Sequence, residues 1–182
     1  DGEGHDSIEI AKMNKDNRMI PLLQKSFQKG QLFSAVSNGD LTTVKQCIEN
    51  GEDINQIDKN GFTALGLAVN CRKVDIVKYL IEKGANPFIG STIKSAINIK
   101  SRAIFDLLIQ NISNINGFDE NGFTFLDYAV SSDQFNSELF ISLIQKGAKL
   151  EQKNKHDDTS PFDVLVDERN IEAIDKLVSN GI

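Results

Sequence analysis

Asp58–Gly90 reads DKNGFTALGLAVNCRKVDIVKYLIEKGANPFIG, and its pattern decides the fold. Thr63 is an N-cap residue: its hydroxyl can accept from a backbone N–H of a first helical turn. Leu65, Leu67 and Ala68 then supply a short apolar face. Val74, Val77, Leu80 and Ile81 recur at the spacing of a second amphipathic helix. Gly84 stands where a left-handed residue ends a helix without strain. Asn86-Pro87 blocks continuation, because proline disfavours helical geometry in the residue before it. Helices of two to three turns are marginal alone in water. The unit must bury its faces against copies of itself.

The copies are present. In register with Ala68 stand Ala11, Ala35, Ala96, Ala129 and Leu165, at spacings of 24, 33, 28, 33 and 36 residues along the chain. Five residues before each anchor lies Asp6, Gly30, Thr63, Ser91, Thr124 or Ser160, all acceptable N-cap types. Sixteen residues after it the stop glycine recurs as Gly51, Gly84 and Gly181, with Gly147 displaced by two; Phe27 and Ile112 break the column. A repeat near 33 residues with two short helices and an extended connector defines a solenoid.

This pattern resembles the ankyrin repeat. Asp58, Gly61, Thr63, Leu65 and Ala68 follow the family's D-x-x-G-x-T-P-L-H-x-A opening, with Ala64 in place of its proline. Gly84-Ala85-Asn86 is similar to the family's G-A-D connector. Asp119, Gly122, Thr124, Leu126 and Ala129 repeat the opening, Asp1 and Gly4 begin it again, and Ser160-Pro161-Phe162-Asp163 is nearest to T-P-L-H. The family histidine is replaced by Glu9, Gly66, Asp127 or Asp163, so its usual bonds need another arrangement or are lost. The resemblance implies an all-α ankyrin-repeat solenoid of helix-turn-helix units with hairpin-like connecting loops. The expected domain is one array over 1–182, with repeats near 1–29, 30–57, 58–90, 91–118, 119–153 and 154–182, as a fragment of a longer protein.

Composition narrows the function. Twenty Lys and Arg against 26 Asp and Glu give a net charge of −6, which argues against the clustered cations that nonspecific nucleic-acid binding needs. No apolar run approaches the length of a membrane span. The first ten residues, DGEGHDSIEI, have neither a basic nor an apolar leader segment.

The chemistry-bearing residues are sparse. Cys47 occupies the column of Leu80 and reads as core, whereas Cys71 falls in the turn between helices. No disulfide is expected between them, and a reduced, cytoplasmic chain fits. His5 and His156 have no neighbouring Cys or His at metal-ligand spacing, so no metal, cofactor or nucleophilic site is expected. The acidic pairs Glu52-Asp53, Asp119-Glu120 and Asp157-Asp158 read as charged loop surface. Lys15, Arg72, Lys100 and Arg169 share the inter-helix turn position that is Gly39 in repeat two. They are either tolerated polar residues in an exposed turn or a basic rail for an acidic partner or lipid headgroups.

The functional expectation is a noncatalytic protein-interaction scaffold, monomeric in isolation, with another protein as partner and neither nucleic acid nor membrane span involved. The alternatives are a regulatory or targeting segment of a larger multidomain enzyme or pathogen effector, and a spacer that binds nothing. By family position the concave groove would be lined by Lys59, Asn60, Phe62, Asn70, Cys71, Glu120, Asn121, Phe123, Ser131 and Ser132. Phe62 and Phe123, each in an Asn-Gly-Phe-Thr string, are either partner anchors or rings folded onto a neighbouring finger. A soft joint is expected between repeats three and four, where the connector is five residues short.

Overall fold

In the computed structural model the described residues are 31–131 and 135–181. The expected first repeat, with Asp6, Ala11, His5, Glu9 and Lys15, and the groove candidate Ser132, lie outside them. Ten helices form among the described residues, in five pairs: α1 Gln31–Asn38 with α2 Leu41–Glu49, α3 Ala64–Asn70 with α4 Val74–Glu82, and α5 Thr92–Asn98 with α6 Arg102–Asn111. The last pairs are α7 Phe125–Val130 with α8 Ser137–Gln145, and α9 Pro161–Asp167 with α10 Ile171–Ser179. No strand forms among these residues; one antiparallel bridge, Ile57 with Thr63, closes a hairpin-like loop. First helices α1, α3, α5, α7 and α9 pack in one row, and second helices in another that loosens between α6 and α8.

The caps explain the starts. Asp40, Thr63, Asn136 and Asn170 each accept from the backbone N–H three residues on. Thr124 and Ser160 form capping boxes with Asp127 and Asp163, two of the residues at the family-histidine position. A carboxylate at N3 therefore uses its oxygens within its own repeat: Asp127 Oδ2 accepts from the Thr124 N–H at 2.6 Å and its hydroxyl at 2.7 Å. One cap differs from expectation. Ser91 sits at the cap position but is left-handed, φ 56°, and makes no side-chain cap bond. The short connector forces the chain to turn within Gly90-Ser91, and Thr92 donates its hydroxyl to Ile89 O at 2.9 Å instead.

Buried side chains fall into two clusters that meet in repeat four. Ala96, Ile99, Ile104 and Leu108 join the cluster that begins at Leu32, while Ile93, Ile97, Phe105 and Ile109 join the one that ends at Leu177. A helix pair between two others shows one apolar side to each neighbour, so its core is shared rather than enclosed. The polar ladder along the connectors also changes here. Asn55 Oδ1 accepts from Asn86 N–H at 2.8 Å, and Asn116 Oδ1 from Lys149 N–H at 2.9 Å. Phe88 occupies the same connector position between them. Its ring meets Phe125 edge-on, with centroids 6.0 Å apart, and lies so close over Gly117 that a Cβ there would stand 2.8 Å from it.

Candidate functional site

The connectors build fingers of unequal reach. Two are made alike. Asp58 Oδ1 accepts from Asn60 N–H at 2.8 Å and Phe62 N–H at 2.9 Å, and the Asp58 N–H donates to Phe62 O at 2.8 Å. Asp119 Oδ1 accepts from Asn121 and Phe123, both at 2.9 Å, with Asp119 N–H donating to Phe123 O at 2.8 Å. Such side-chain-to-backbone bonds fix a turn locally. Desolvation pulls the Asp58 carboxyl up most, but the Phe62 and Asn60 N–H donors, the Asn60 side-chain amide and Lys59 together hold it below its usual range. Asp119, expected as charged loop surface, is half-buried and structural, and it also accepts from the Tyr128 hydroxyl at 2.7 Å.

The second finger is tied to the next. Lys155 N–H donates to Gly122 O at 2.9 Å, and a Cβ on Gly122 would meet Lys155 at 2.8 Å. Phe123 lies between Tyr128, 5.5 Å between ring centroids, and His156 of the following finger, 5.1 Å. Of the two readings for this ring, the contact across to the neighbouring finger is present. Burial, followed by the Asp119 carboxylate, pushes the Tyr128 phenol well above its ordinary range. Between the two like fingers the chain makes none: Ile89–Ser91 turns back against the base of the first, where a Cβ on Gly90 would lie 2.6 Å from Thr63 N. The result is a finger at Ile57–Thr63, a gap at repeat four, and a paired finger beyond it.

The expected groove residues sort clearly. Lys59, Asn60, Glu120 and Asn121 are exposed at the two like fingertips, and Phe62 and Phe123 are half-buried behind them. Asn70 and Ser131 are exposed at first-helix ends. Cys71 is half-buried, and its N–H caps α3. Asn98, in the column of Asn70 and Ser131, is also exposed and was missed by the sequence reading, although the column itself would have found it. Tyr128 and His156 were missed too, since only the folded finger brings them onto Phe123.

Other candidates resolve structurally. The Arg72 guanidinium donates to Ile99 O at 3.0 Å, at the end of the next repeat's first helix, where a cation also meets the negative end of the helix dipole. Arg72, Lys100 and Arg169 all adopt left-handed φ, 55°, 51° and 50°. Lys100 and Arg169 are exposed. Cys47 is buried; burial and then Glu52 push its thiol up to about 11, which keeps it protonated and unreactive. Glu52, read from the sequence as loop surface, is half-buried.

The comparisons agree with this architecture. A family model described as ankyrin repeats (3 copies) matches residues 8–91 and 32–154. An ankyrin repeat protein of Fowlpox virus is 32% identical over 127 residues, 69% of this chain and 30% of its own length. One from Rickettsia felis is 26% identical over 176 residues, 94% of this chain and 42% of its own. Myotrophin of Xenopus tropicalis is 36% identical over 52 residues, 29% of this chain and 44% of its own. The chain thus spans less than half the length of these relatives. With two stacked rows of short helices, the finger turns and the family match over most of its length, the chain belongs to the ankyrin repeat family.

Proposed function

We propose that this chain is a noncatalytic protein-interaction scaffold whose partner enters the gap at repeat four, between the fingers at Ile57–Thr63 and Asp119–Thr124. The observation that carries this reading is the duplicated turn: two Asp carboxylates hold two fingertips in one geometry, two repeats apart. Recognition loops fixed before binding lose less entropy on binding. The exposed floor between them is polar, with Asn70, Asn98 and Ser131, and the tips present Lys59, Asn60, Glu120 and Asn121. That combination fits an extended segment or loop of another protein, held by side-chain amides and charges of both signs. The protonated, buried Cys47 thiol supports a noncatalytic role, and the two free thiols in different repeats support a reducing, cytoplasmic setting.

Site-specific photo-crosslinkers test the reading. Placed at Asn60, Asn98 and Asn121 in cells, they should capture one common protein, whereas a crosslinker at exposed Lys78 on α4 should not. Capture of that protein from Lys78 alone would remove the groove assignment.

A further inference from the structure

The paired finger shows what the edge of a finger receives. Ile57, Lys59 and Gly61 stand in the columns of Phe118, Glu120 and Gly122, and the next finger continues the column of Lys59 and Glu120 with Lys155. One residue makes the contact between those two fingers. The Lys155 N–H donates to Gly122 O at 2.9 Å, and its ammonium lies 4.4 Å from the Phe118 ring centroid. Under that cover Gly122 is buried and Phe118 half-buried.

At the repeat-four gap the same edge is bare, although helix pairs stand on both sides of it. Ile57 is 49% exposed, and Gly61 O accepts from no N–H among the described residues. Gly90 passes close, its Cβ position 3.2 Å from Gly61 O, but it donates no hydrogen bond there and has no side chain to lay over Ile57. The opposite wall lacks the complement. The Glu120 N–H, in the column of the Lys155 N–H, donates to nothing among the described residues. An unmet carbonyl on one wall and an unmet N–H on the other are what one more finger would join, and the short connector of repeat four does not supply it. Packed helices stand ~8–10 Å apart, so one missing finger leaves the width of two strands at ~4.8 Å each. A single strand would reach one wall; a two-stranded turn reaches both.

We propose that the gap takes a β-hairpin loop of a partner protein, which donates an N–H to Gly61 O, lays an aliphatic side-chain stem over Ile57 and accepts from the Glu120 N–H. The proposal rests on the reading that the partner enters at repeat four, and adds the local structure that the partner brings. A second copy fits this edge poorly. It would have to bring its own Lys59 N–H to Gly61 O, and donor and acceptor lie on opposite edges of a finger, so copies would add head to tail without closing.

The probe is a backbone-cyclised peptide with the Gln152–Ser160 sequence, because that segment is the finger that covers the same edge one site further along, and cyclisation holds it in shape before binding. Titrated into the intact, isotope-labelled chain, it should move the amide resonances of Ile57, Phe62 and Glu120. N-methylation at the position of Lys155 removes the donor and should weaken binding by roughly fivefold or more. Ile57→Ser should weaken it by a similar factor while circular dichroism melting stays unchanged, and Lys78→Ser on α4 should change nothing. Equal binding of the N-methylated peptide, full-strength binding by the Ile57→Ser chain, or a titration that leaves those amides unmoved overturns the proposal. So does a concentration-dependent oligomer, seen by sedimentation and lost in Ile57→Ser, because a second copy would then hold the edge. The groove reading keeps its own readout in the crosslinkers at Asn60, Asn98 and Asn121. A common captured protein beside a silent titration removes only the hairpin, whereas no common capture removes both.

Discussion

The carbonyl oxygen of Gly90 lies 2.6 Å from the point where a Cβ on Gly66 would stand. Gly66 takes the family-histidine column, and the short connector after repeat three brings backbone into the space that a side chain there would fill. Gly66→Ala should therefore destabilise by about 1–3 kcal/mol, since a buried backbone carbonyl has little room to yield. Urea denaturation should show the loss. An unchanged midpoint would mean that the Gly90 turn moves freely.

The left-handed cations separate strain from bonding. Lys100, exposed at φ 51°, should gain about 0.5–1 kcal/mol on mutation to Gly, which adopts that conformation without a Cβ clash. Arg72→Gly relieves the same strain but gives up the bond to Ile99 O, so its net effect should be smaller or reversed. Thermal melts of the two variants side by side decide this. An equal gain in both would show that the guanidinium bond contributes nothing.

Asp127 predicts a pH dependence of a particular sign. Its carboxyl is held above the ordinary carboxylate range, first by burial and then against the lowering bonds from Thr124, with Asp157 and Asp119 adding to the rise. Its Oδ1 is enclosed without a hydrogen-bond partner. The folded protein therefore holds this proton more tightly than the unfolded chain. Stability from this group is greatest at low pH and declines as pH rises from the unfolded pKa near 4 through the folded one. Asp127→Asn keeps an acceptor for Thr124 and removes the charge, while its amide N–H takes the partnerless Oδ1 position, so its stability relative to the native chain should be more favourable at pH 7 than at pH 4. A gain that is constant over that range would remove burial of the charge as its cause.

Phe123 should report on the fold as well as on binding. Wedged between Tyr128 and His156, it should cost about 1–2 kcal/mol of stability when truncated to Ala, in keeping with aromatic pairs and partial burial. Asn121→Ala at the exposed tip should leave the melting temperature alone. Both results come from one calorimetry series, and a Phe123→Ala protein that melts like the wild type would free the ring for a partner.

Repeat four should exchange its amides fastest among the internal repeats. Its core is divided between two clusters, and Phe88 occupies the ladder position that asparagine fills on either side. Native-state hydrogen exchange should give lower protection in Thr92–Asn111 than in Thr63–Ile81. Equal protection would show that the Phe88–Phe125 contact makes up for the missing rung.

The sequence alone determined the repeat, its caps and its stops, because these depend on residues within one helical turn of each other. The Thr63 hydroxyl on the Gly66 N–H and the left-handed Gly84 are local chemistry written in one dimension. Spacing also located the short connector at repeat four. What followed from that connector required the third dimension. Ser91 has an N-cap side chain but not the backbone angles to use it, since the turn is set by the distance the chain must cover. Arg72 reads as a surface cation until the next repeat's Ile99 carbonyl is placed beside it. Asp119 reads as loop charge until Tyr128 and two backbone amides converge on its carboxylate. Phe162 and Val166 stand in the columns of Leu65 and Val69, yet they are exposed where those are buried, and sequence periodicity cannot distinguish them. Burial is a property of what stands opposite, and only the stacked structure shows where nothing among the described residues does.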